Sequence, residues 1–161
     1  MLEILLSLAA IALVVLMAGV YAYAPPDRKT YALAALAFVI AFAILTCTVH
    51  FVSLTVGRQL DPAAFPIIHR QLVFGEWPSL ALTMDLLAWD FFLGLSLMFA
   101  APVFKGTGLI SRVRKSLIVA GTLCLAGTLG PATGQLPHSI LRNCGLHLCT
   151  SGGLYSAGHF L

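Results

Sequence analysis

The sequence predicts an all-α, polytopic integral membrane protein: about four transmembrane helices packed as an antiparallel bundle, with a short interfacial helix between the second and third. Three observations predict it. Of the 161 residues 60% are hydrophobic and only 9% charged, with a mean hydropathy of +0.97; soluble domains carry about 25% charged residues, so this inventory cannot clothe a water-facing surface. Four apolar stretches, 2–24, 31–57, 79–104 and 116–134, each suffice to cross a hydrocarbon core of about 30 Å, which takes roughly 20 helical residues. Backbone polar groups in lipid must bond within their own segment, so runs of this length read as helices, and the short alternating segments of a β-barrel are not seen.

The first stretch ends in Ala22-Tyr23-Ala24, which resembles the cleavage site of a secretory signal. Against that reading, Met1-Leu2-Glu3 is not a basic leader, the apolar run exceeds the usual ~7 to 15 residues, and Pro25 would follow the scissile bond. A retained helix is expected. Pro25-Pro26-Asp27-Arg28-Lys29 then makes a tight polar break that joins the first two spans as an antiparallel hairpin.

The longest connection is 58–78. In it, Asp61-Pro62 reads as an N-cap and first-turn pair followed by Phe65, Ile68 and Leu72 at helical spacing, a helix lying in the interface. Trp77 belongs at headgroup level and Pro78 can begin the third span. The fourth span carries Gly121, Cys124, Gly127, Gly130, Pro131 and Gly134. Small residues let helix backbones approach, so Gly127, Gly130 and Gly134 are candidate packing residues, and Pro131 should kink or end the helix.

These spans give a transmembrane domain over 1–135. Beyond it, 136–161 reads as an irregular polar tail, either a native extramembrane segment of disordered character or the product of a truncation or frameshift, because the apolar run stops abruptly after Gly134. Cys144, His147, Cys149 and His159 are ligand-type residues, yet their spacing matches no standard zinc knuckle, so no metal is expected.

The net charge of +3, from 9 Lys/Arg against 6 Asp/Glu, is concentrated in 105–115 as Lys105, Arg112, Arg114 and Lys115. That is the asymmetry that orients a membrane protein, not a nucleic-acid footprint. It predicts a cytoplasmic (inner) membrane protein with 105–115 in the cytoplasm and the N-terminus and 58–78 outside. No C-x-x-C, nucleotide loop, nucleophile elbow or H-E-x-x-H is present.

Ionisable side chains within spans cost roughly 2.5 to 3.5 kcal/mol each on insertion, so they usually face protein or water and often mark a site. Here they are His50, Asp85 and Asp90. His50 and Asp85 each lie about seven residues from the outer end of their spans, roughly 10 Å deep, so they meet if the helices pack. Thr46, Cys47, His50, Ser53 and Gly57 form a polar and small-residue stripe at offsets of three and four. On a regular helix Thr83, Asp90 and Gly94 share a face, and Asp85 with Trp89 lies about 140° away, which gives the two carboxylates different neighbours.

Three functions fit these residues. The first is a small-solute or proton carrier or sensor using a polar cavity between the second and third helices, with His50, whose ordinary pKa near 6.5 suits proton exchange, beside Asp85 and the deeper Asp90. The second is an intramembrane enzyme acting on a lipid or sterol with His and carboxyl as general acid and base. The third is an accessory subunit of a membrane complex. The lipid bilayer is the expected partner in each, and self-assembly is expected of a carrier because four helices seldom enclose a pathway alone. His69, Arg70 and Glu76 in the outer connection read as a solvated surface or as ligand contacts.

Overall fold

The computed structural model describes residues 2–74 and 78–132. Among them 86% are helical and none is in a strand. The elements in chain order are α1 (Leu2–Tyr23), α2 (Lys29–Val52), α3 (Pro66–Leu72), α4 (Leu80–Leu86), α5 (Gly94–Ala100), α6 (Leu109–Gly127) and α7 (Leu129–Ala132). Two π-helical turns interrupt the spans: Ser53–Gly57 continues α2, and Leu87–Leu93 joins α4 to α5.

Three helices are long and apolar enough to cross a membrane: Leu2–Tyr23, Pro26–Gly57 and Leu80–Val103. α1 carries Glu3 in its first turn, where a negative charge suits the helix dipole, and stops before Pro25. Pro26 opens a 3₁₀ turn, Pro26–Arg28, which feeds α2 directly. Ser79 caps α4 by accepting from the Leu82 N–H at 3.2 Å, so the third span starts at Leu80 rather than at Pro78.

α6 differs from the expected fourth span. It begins at Leu109, placing Arg112, Arg114 and Lys115 on its first two turns. The expected 105–115 loop is thus mostly helix, and the connection is reduced to 104–108, where Gly108 supplies a φ of 64° that a side chain would strain. α6 ends at Gly127, and Pro131, four residues on, has no N–H to donate to the Gly127 carbonyl. Gly134 and the 136–161 tail lie outside the described residues, as do Glu76 and Trp77.

The interfacial helix also starts later than expected. Asp61 makes a turn instead, its Oδ1 accepting from the Ala63 N–H at 2.9 Å and its carbonyl from the Phe65 N–H at 2.9 Å. α3 begins at Pro66, since a residue before proline is steered out of the helical region and Phe65 sits at φ −131°, ψ 57°.

α1 packs on α2, α2 on the α4–α5 span, and that span on α6. Ala10, Ala35, Val39, Phe42, Ala43, Ala88 and Ala100 are among the residues that make the core, and their small side chains bring the backbones close. Ser96 Oγ donates to the Ala35 carbonyl at 2.8 Å across this seam. The outward faces are apolar, with Leu5, Val15 and Leu123 about three-fifths exposed or more. An apolar exterior over helices of this length marks a membrane-embedded protein. The polar contacts gather at the two ends: Arg58 with Glu3 at 3.2 Å at one, Lys105 with Asp27 at 3.2 Å at the other.

Candidate functional site

His50 lies in the last turn of α2, and Asp85 in the last turn of α4. The antiparallel packing brings them together: His50 Nε2 is 3.6 Å from Asp85 Oδ1. That is close enough for charge attraction but longer than a hydrogen bond. His50 is 2% exposed, while the Asp85 side chain keeps 20% of its surface.

The face around the pair is polar and incompletely partnered. Thr46, one turn deeper than His50, is fully buried, and Ser53, one turn shallower, is 4% exposed. Among the described residues, Thr46 Oγ1, both ring nitrogens of His50 and Asp85 Oδ1 are buried with no hydrogen-bond partner. Buried polar groups normally find one, which makes these atoms candidates for binding a small polar group. The Trp89 indole addresses the Asp85 carboxyl from one turn along, and Trp89 is itself fixed edge-on against Phe42 with ring centres 4.9 Å apart.

Cys47 leaves the stripe expected of it. Its Sγ reaches toward the Ser7 carbonyl of α1 at 3.8 Å. Cys47 also borders two surface depressions. One is an open groove of about 520 Å³ lined by Ile4, Ser7, Leu8, Thr48, Phe51 and Leu54, the other a shallower, wholly apolar one beneath it. Both run between α1 and α2, not at the His50–Asp85 pair.

Asp90 stands apart. It lies in the π-helical turn Leu87–Leu93 and packs on Gly127 of α6 so tightly that a Cβ added there would come within 2.8 Å of its carboxyl carbon. The same turn adds a residue to its coil and rotates everything beyond it relative to a regular helix. Thr83 is exposed, while Asp90 and Gly94 both face α6, Asp90 against Gly127 and Gly94 against Gly121, so of the expected common face Asp90 and Gly94 stay together and Thr83 leaves it. Of the candidate packing glycines, Gly127 is in contact with the third span, Gly130 lies in α7, and Gly134 is outside the described residues.

Sequence reasoning overlooked two features of this region. Phe74 stacks on the His50 ring, with centroids 4.9 Å apart and planes at 26°; it falls outside the helical spacing of Phe65, Ile68 and Leu72 that marked this connection. Gly94 and Gly121 form the tightest helix crossing, where a Cβ on Gly121 would meet the Gly94 carbonyl oxygen at 2.9 Å. They sit on different spans, so no spacing rule within one helix finds them. Among the described residues no group of three His, Cys, Asp or Glu side chains is arranged to hold a metal ion. No known family model, curated protein or solved structure matches the chain.

Proposed function

We propose that this chain is a multi-pass integral membrane protein of the cytoplasmic membrane that binds a small cationic solute or a proton at the His50–Asp85 pair, acting as a carrier or sensor. The observation that carries the reading is the set of buried, unpartnered polar atoms on Thr46, His50 and Asp85 in an otherwise apolar bundle. A carboxylate and an imidazole 3.6 Å apart can share or exchange one proton, or hold a donor between them. Neither a fully apolar packing seam nor a closed hydrogen bond would leave those valences open.

In this reading α6 continues through α7 as a fourth span. Arg112, Arg114 and Lys115 extend their charges to the interface while their stems cover apolar surface, at the same end as Lys105 and Arg28. That basic end faces the cytoplasm, which places the Glu3–Arg58 end and the site outside. Self-association in the bilayer supplies the walls that four helices lack.

The test is thermal unfolding in mild detergent with a panel of small amines and metabolites, together with decay of an imposed pH gradient in proteoliposomes. A wild-type protein that is stabilised by a solute or dissipates the gradient, with Asp85→Asn and His50→Ala doing neither, supports the proposal. Wild type and both variants behaving alike in the two assays removes it. A second reading, an assembly subunit, draws on the Asp90–Gly127 contact, which ties two helices together without needing a ligand. A third reading, an intramembrane enzyme, requires a lipid-sized pocket opening on the pair.

A further inference from the structure

The His50–Asp85 pair sits near one end of the bundle, yet the imidazole is almost wholly covered. Part of that cover comes from the connection, whose Phe74 ring stacks on the imidazole. After the Asp61 turn, α3 runs back toward α4, and Gln71 Oε1 accepts the Leu80 N–H at 2.9 Å. Val73 then seats against the bare Gly57, where an added Cβ would come within 3.1 Å of a valine methyl, and Phe74 lays its ring on His50. α3 itself buries no residue, and Phe65, Ile67 and Ile68 are at least half exposed. The segment is therefore a flap with well-fitted contacts at its C-terminal end and little burial along its length, the profile of an element that opens locally while the body stays folded.

We propose that residues 66–74 form a lid in which Phe74 closes the His50–Asp85 pair and the π-helical turn Ser53–Gly57 is the pivot, so that access to the pair is set by Phe74. The π turn suits that part because such turns are places where a helix kinks. Gly57 keeps the seat clear for Val73. The proposal rests on reading the pair as a binding site, but its test uses no solute.

Diethyl pyrocarbonate, which acylates accessible imidazole, is applied to the full chain in mild detergent, and modification of His50 and His69 is followed by peptide mass spectrometry. His69, on the partly exposed α3, is the internal reference. In wild type His50 should react at least about tenfold more slowly than His69, and Phe74→Ala should raise the His50 rate about tenfold while leaving His69 unchanged. Phe74→Leu, which keeps an apolar cover, should stay slow. Gln71→Ala, which frees the lid without touching the pair, should raise the His50 rate several-fold, and it decides the matter alone if Phe74→Ala does not fold. Equal rates for His50 and His69 in wild type, or a His50 rate indifferent to these changes, overturn the lid. A lid result that holds while no solute binds leaves the lid standing and removes the proposed function instead.

Discussion

Asp90 and Gly127 show how a single hydrogen atom in place of a methyl group decides a contact inside a membrane. The carboxyl lies where a Cβ on Gly127 would stand, at 2.8 Å, so Gly127→Ala must displace either the Asp90 side chain or α6. Overpacking of this kind costs roughly 1 to 3 kcal/mol. In the Asp90→Ala background the obstacle is gone, and the same substitution should become close to neutral. Thermal unfolding of the two single variants, the double variant and wild type measures the coupling. An equal loss in both backgrounds would place the crowding elsewhere. The His50–Asp85 pair makes the complementary point, since its polar atoms are left open where Ser96 Oγ is satisfied by a carbonyl at 2.8 Å.

The elements owe their arrangement to small residues and to two local departures from regular helix. At the crossing of the third span with α6, Gly121 faces a backbone oxygen at 2.9 Å and Met98 N at 3.2 Å, neither of which can rotate away. Gly121→Ala should therefore lower the unfolding temperature in detergent. Gly19→Ala is the matched control, because nothing lies within 4 Å of the added methyl. On helix propensity alone it should gain up to about 1 kcal/mol. If both substitutions stabilise, the crossing is looser than the structure has it. The π turns Ser53–Gly57 and Leu87–Leu93 begin within a turn of His50 and Asp85, and such turns recur at functional positions. Hydropathy does not register them, since an inserted residue of the same apolar character leaves the composition of the span unchanged. This is why equal depth sufficed to foresee the meeting of His50 and Asp85, while Thr83 left the face that Asp90 and Gly94 share toward α6.

At the scale of the whole molecule, the helices run antiparallel and the charged groups gather at the two ends. Arg28, Lys29, Lys105, Arg112, Arg114 and Lys115 all belong to the turns and helix starts on one side. If that side is cytoplasmic, single cysteines placed at Gly108 and at Asp61 in a cysteine-free background should label from opposite sides of intact cells. An impermeant maleimide should reach Asp61→Cys at once and Gly108→Cys only after permeabilisation. The reverse pattern would invert the orientation and move the His50–Asp85 pair to the inner side.

By itself the sequence determined the helical class, the positions of three apolar spans and the identity of the ionisable groups within them. Those follow from the cost of exposing backbone and charge to hydrocarbon, which is summed along the chain and can be read without knowing its neighbours. Where α6 and α3 begin was harder to read, because charges tolerated on a helix at the interface and a proline four residues downstream shift boundaries without altering the apolar count. Only the tertiary structure decided that Asp90 would rest on Gly127, that Gly94 would cross Gly121 and that Phe74 would cover His50. Each of these joins residues from separate elements at distances of a few ångströms, and such contacts are set by how side chains interlock between helices, a property that no single stretch of chain contains.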